Sequence, residues 1–205
     1  RQVVLTLLSD DLLRDPEHRE RYRRDLQSLA GIESPHLLPV LDFSVQDRPY
    51  IVTPYLQSYT DLATILRDGP VEPRRAVSLI GQVAWALDAM HRAGLVHRDV
   101  KPSNILVTRD GDGEHAQLID FALVERTGVA PPYMAPELVT GAADHRADVY
   151  ALAVTLYEVL TGRTPFDGDG AQLLVAHLGT EPPPLPDRIP PALRAVVTKG
   201  LAKNP

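Results

Sequence analysis

The sequence predicts an α+β chain in two unequal parts, a short strand-rich first part and a longer, mainly helical second part. Three observations predict it. β-branched and aliphatic runs separated by polar residues occupy the first 53 positions. A sustained 3.6-residue periodicity begins at Pro73. Further helical stretches then recur, set off by Gly94 and Gly162. With 205 residues, 44% of them hydrophobic, the chain can bury a core of its own.

Val3 to Leu8 is β-branched and aliphatic, the composition of a buried strand. Asp15-Pro16 supplies an N-cap followed by proline at the first helical position. In the helix that follows, Tyr22, Asp25, Leu26 and Leu29 fall at i, i+3, i+4 and i+7, so Asp25 is expected to face inward. The runs Leu37 to Phe43 and Tyr50 to Val52, separated by Ser44 to Arg48, read as a strand pair that Pro54 ends. Past Tyr55 a long helix is expected from Pro73 to Arg92, with Ala76, Leu79, Ile80, Val83, Leu87 and Met90 on one face. Gly94 marks its end. Ile105 to Val107 and Gln117 to Ile119 flank Asp110-Gly111-Asp112-Gly113, which is hairpin chemistry. A calcium loop starting at Asp110 is rejected, because its sixth and twelfth positions, His115 and Phe121, are not the required glycine and glutamate. Helices are expected over Ala147 to Leu160, Ala171 to Leu178 and Pro191 to Leu201.

Composition narrows the function classes. A net charge of -6 and a pI near 5.6 argue against a nucleic-acid partner, whose phosphates require clustered cations. The longest nearly apolar stretch, Val149 to Tyr157, is about half the roughly 20 residues of a bilayer span, so no membrane contact by this segment is expected. The chain has no cysteine, which excludes disulfides and thiolate metal sites and suits a cytoplasmic location. Its only lysines are Lys101, Lys199 and Lys203.

His97-Arg98-Asp99-Val100-Lys101-Pro102-Ser103-Asn104 resembles the protein-kinase catalytic loop. Asp120-Phe121 follows across the hairpin, then Ala135-Pro136-Glu137 in the family's order, then Asp148 at the start of a helix that resembles the central helix of the larger lobe. Tyr157 to Gly162 and Leu201 to Pro205 look most like the actinobacterial receptor-type Ser/Thr kinases. The resemblance implies a bilobal protein-kinase fold as one domain: a partial N-lobe over 1–53, and over 54–205 a C-lobe stopping before its last helix. It implies ATP and Mg as cofactors. Asp99 would orient the substrate hydroxyl, and Lys101 would offset charge on the phosphoryl group. Asn104 and Asp120 would give oxygen ligands to Mg. Thr53 aligns with the gatekeeper, the Pro54 carbonyl and Leu56 N–H with the adenine-bonding groups, and Val4 and Leu106 with the residues that sandwich the ring. His97, Arg98, Phe121, Glu137 and Asp148 align with structural positions of the motifs.

The sequence departs from the family at the strand lysine that pairs with nucleotide phosphates and a helix glutamate. Thr6 stands at the lysine position and Asp25 at the glutamate, a change that suits at most a hydroxyl-to-carboxylate hydrogen bond. No lysine precedes Lys101. Ala122 replaces the glycine of Asp-Phe-Gly and resists positive φ. Val129, Ala130, Pro131 and Pro132 occupy the region of the usual activation-loop threonine, leaving Thr127 as its one phosphorylatable hydroxyl. Switching by loop phosphorylation is therefore not expected. The glycine-rich loop should precede Arg1, and the arginine partner of Glu137 should follow Pro205. The resulting expectation is a pseudokinase or severely weakened kinase that binds a regulatory protein partner. Its rival is an active Ser/Thr kinase with a relocated lysine acting on a protein substrate; a small-molecule phosphotransferase is disfavoured by the Ala-Pro-Glu segment.

Overall fold

The computed structural model describes residues 2–8, 15–46, 48–111, 113–120, 132–139 and 144–204. The first part contains β1 (Val3–Leu7), α1 (Pro16–Ala30), β2 (Asp42–Ser44) and β3 (Tyr50–Pro54). Asp15 caps α1 by accepting the Glu17 N–H at 3.0 Å, and Pro16 opens it. Tyr22, Leu26 and Leu29 are buried on its inner stripe, with Asp25 half-buried beside them.

The strands form an antiparallel sheet in the order β1-β3-β2. Val4 lies opposite Thr53, Thr6 opposite Ile51, and Phe43 opposite Ile51, so these five residues share one face. Two strand expectations need correction. Every residue of β1 is exposed rather than buried, because β3 is its one neighbour among the described residues. The run from Leu37 yields only the short β2: Leu37 and Val40 are buried core residues, and Leu37 forms a single parallel bridge to Leu118. Pro54 is the last residue of β3, as expected, a terminal place that its missing N–H permits.

The second part begins with β4 (Thr60–Asp61) and α2 (Leu62–Leu66), both too short for periodicity to announce. Asp61 caps α2 by accepting the N–H and hydroxyl of Thr64, each at 2.8 Å. α3 spans Pro73–Arg92, as its pattern predicts, and buries all six expected face residues together with Ala86. β5 (Ile105–Asp110) and β6 (Gly113–Leu118) pair as a tight hairpin and form a second sheet in the order β4-β5-β6. Leu38 N–H bonds to Leu118 O at 3.0 Å and Leu118 N–H to His36 O at 2.8 Å, tying β6 to the segment that follows α1.

α4 (Arg146–Thr161) is buried nearly all round, which makes it the central helix of this part. Gly162 ends it at φ +80° in the left-handed conformation. α5 (Gly170–Gly179) starts with a capping box between Asp169 and Gln172. α6 (Pro191–Gly200) packs so closely on α4 that a Cβ on Gly200 would lie 2.6 Å from the Ala153 Cβ.

Candidate active site

The segment between α3 and β5 is held from below by Asp148, in the first turn of α4 and fully buried. Its Oδ2 accepts the His97 N–H and its Oδ1 the Arg98 N–H, both at 2.7 Å. His91, at the end of α3, brings Nε2 to the same Oδ2 at 2.7 Å. A buried carboxylate is costly without such partners, and here it has three. Asp148 was expected from the motif; His91 was not. Its signal was its position in the last turn of α3, six residues before His97.

His97 is buried, which lowers its pKa by desolvation and keeps it neutral. Nε2–H donates to Ile119 O at 3.0 Å, so Nδ1 is left to accept the Asp99 N–H at 3.3 Å. Arg98 and Asp120 both adopt left-handed backbone conformations, at φ +64° and +55°. Each such residue costs on the order of 1 kcal/mol or more and persists only where its surroundings hold it. For Arg98 the holding group is the Asp148 carboxylate.

Lys101 Nζ donates to Asp99 Oδ2 at 2.6 Å. Asn104, in the 3-10 turn Pro102–Asn104, gives its amide N–H groups to Asp99 O at 2.8 Å and to Asp99 Oδ2 at 3.0 Å. That orientation leaves the Asn104 amide oxygen available as an acceptor. Ile119 N–H bonds to Asn104 O at 2.9 Å, so the Asp120 segment runs beside this turn and Asp120 is exposed. An amide oxygen and a carboxylate are ligands that fit Mg, which takes few protein oxygens and fills its octahedron with water and phosphate. The arrangement therefore brings a carboxylate, an ammonium and an amide oxygen together on one loop, with a second carboxylate on the segment beside it.

Leu106 is buried, yet it lies on the opposite face of β5 from Ile105 and Val107, which join the main core. Val4, opposite Thr53, is 41% exposed. Thr53, Pro54 and Leu56 are all half-buried at and just beyond the end of β3. Thr6 is exposed, and among the described residues no hydrogen bond joins it to Asp25, so the expected hydroxyl-to-carboxylate contact is corrected. Asp25 is half-buried, which raises its carboxyl pKa, and the cation that most offsets this is Arg98, ahead of Arg21 and Arg24. Glu137 lies in the 3-10 turn Pro136–Val139. Phe121, Ala122, Thr127, Val129, Ala130 and Pro131 lie outside the described residues. A contact the sequence did not suggest is Tyr133 O–H to Glu158 Oε2 at 2.6 Å, where burial pushes the carboxyl pKa up.

A small strand-bearing lobe over a larger helical lobe, with a braced loop where the two meet, defines the protein kinase fold. The chain belongs to the protein kinase domain family, whose profile matches residues 10–205. It is 40% identical over 221 residues to serine/threonine-protein kinase PknE of Mycobacterium bovis, covering 100% of this chain and 38% of that protein. Serine/threonine-protein kinase PknH of Mycobacterium tuberculosis is 40% identical over 220 residues, covering 99% of this chain and 35% of that protein. The chain thus spans little more than a third of either relative. The crystal structure of the Mycobacterium tuberculosis PknI kinase domain matches with a TM-score of 0.78 at 30% identity, covering 98% of this chain and 77% of that one.

Proposed function

We propose that this chain is a kinase-fold regulatory module, a pseudokinase or severely weakened Ser/Thr kinase that engages a protein partner and binds Mg·ATP weakly. One observation carries this reading: at the position of the phosphate-anchoring lysine stands Thr6, exposed and not bonded to Asp25. Phosphoryl transfer depends on cations placed against the phosphate oxygens, and the residues before Lys101 include no lysine. Arginine, a wide planar fork, replaces a compact ammonium poorly.

A second reading is favoured by a different observation. Asp99, Lys101 and Asn104 form one hydrogen-bonded cluster, with Asp148 bracing it and Asp120 beside it. A scaffold has no physical need of such a cluster, so an active Ser/Thr protein kinase with a relocated lysine is the alternative. In either reading Asp99 orients the hydroxyl, Lys101 offsets phosphoryl charge, and Asn104 and Asp120 hold Mg. Val4, Thr53, Pro54, Leu56 and Leu106 would surround adenine.

The unfolding temperature of the full-length protein with ATP, with and without Mg, tests these readings, with Asp120→Asn as control. A ligand at 100 times its Kd adds about 2.7 kcal/mol of stability. The module reading predicts a small metal-dependent shift at millimolar ATP. A large shift at micromolar ATP that Asp120→Asn abolishes moves the relocated-lysine enzyme ahead.

A further inference from the structure

α3 turns one face to the core and leaves another bare. Arg74, Val77, Ser78, Gly81, Trp85 and Asp88 form a continuous exposed stripe along it. Val77 is 50% and Trp85 67% exposed, and Trp85 is the chain's only tryptophan. One side of its indole is held by the His36 ring, with centroids 5.6 Å apart. Tryptophan is among the side chains enriched in the energetically dominant positions near the centre of protein interfaces.

Gly81, at the middle of the stripe, has no role inside this chain. Glycine is less favourable than alanine in a helix interior. Yet a Cβ at Gly81 would meet nothing within 4 Å, and its φ is not in the left-handed region. What a bare backbone does provide at that place is close approach for something outside the chain.

The charges on the stripe are placed against the helix dipole. Arg74 stands in the first turn, where cations are disfavoured, and it makes no ion pair among the described residues. Asp88, about one turn from the other end, has Arg92 as its one ion-pair partner among the described residues, at 2.7 Å in an exposed i,i+4 contact of little value.

From these observations we propose that the outer face of α3 docks a second copy of this chain, antiparallel, about a two-fold axis passing at Gly81. In such a pairing a residue k positions beyond Gly81 faces the one k positions before it on the other copy. Trp85, four beyond, meets Val77, four before. Asp88, seven beyond, meets Arg74, seven before. Each contact occurs twice. The basic, apolar and acidic positions are thus complementary to their own reversal, which singles out a second copy as the occupant. The stripe between the two charges is about 21 Å long, and glycine at the crossing allows axes to approach to about 8 Å. This inference goes beyond the proposed kinase-module reading and does not rest on it.

The test is sedimentation velocity of the full-length chain with Arg74→Asp, Asp88→Arg and the double reversal. One helix face makes a small interface, so self-association with a Kd of roughly 1–100 μM is expected. Each single reversal sets like charges face to face twice and weakens it at least about tenfold, whereas the double variant recovers to within about threefold of the parent. Both substitutions place acid near the N-terminus and base near the C-terminus, the orientation the helix dipole favours, so loss of association cannot be read as loss of the helix. A chain that stays monomeric to about 1 mM, a dimer indifferent to the single reversals, or a double variant that fails to recover each overturns the proposal.

Discussion

His177 shows how one buried side chain ties stability to pH. It is almost fully buried on α5, and the Tyr150 hydroxyl lies 2.9 Å from its Nδ1. Lys203 Nζ donates to that hydroxyl at 3.2 Å and to Ala176 O at 3.1 Å, and lies 4.4 Å from the Phe166 ring centroid. Burial first, and the Lys203 ammonium second, push the His177 pKa down to about 4 from its ordinary 6.5. A pKa depressed on folding means that the unfolded chain binds the proton more readily. The contribution of neutral His177 is complete above about pH 6.5 and is lost as pH falls towards 4, up to an amount on the order of 3 kcal/mol. The unfolding temperature should therefore decline across that window. In His177→Gln, which cannot titrate, the decline should be shallower even though the variant is less stable at neutral pH. An identical slope in parent and variant would rule out His177 as its source.

Among the elements, α3 and α6 contain glycines with opposite consequences. Gly200 lets α6 lie against α4, and Gly200→Ala drives a methyl into Ala153, at a cost of about 1–3 kcal/mol. Gly81→Ala, where the Cβ meets open space, should stabilise the dilute chain by about 0.5–1 kcal/mol. Denaturant midpoints at an unchanged slope distinguish the two. The helices were legible because local signals bound them: proline opens α1, α3 and α6, and left-handed glycines follow α3 and α4. The strands were less so. Leu37 and Val40 carry the composition of a strand, but their side chains serve the core, and a run of apolar residues does not distinguish pairing from plugging.

Across the whole molecule, the question is how the small lobe addresses the braced loop of the large one. Thr6 shares a sheet face with Thr53 and Ile51, while Asp25 on α1 feels Arg98. Thr6→Lys should supply an ammonium that competes for Asp25, lower the pKa of that carboxyl and tighten Mg·ATP binding about tenfold, measured by isothermal titration calorimetry. No gain in affinity would mean that the missing lysine is not what limits the nucleotide site.

What the sequence determined by itself was the family, through the motif run from His97 to Asn104, and the extents of the longer helices. These are written in short-range order, as motif spacing and helical period. Only the tertiary structure decided that β1 lies exposed, that Thr6 and Asp25 do not bond, and that His91 joins His97 and Arg98 on Asp148. Those outcomes depend on which strand has a neighbour and how two helices pack, and a contact between residues 57 positions apart leaves no period in the chain to read.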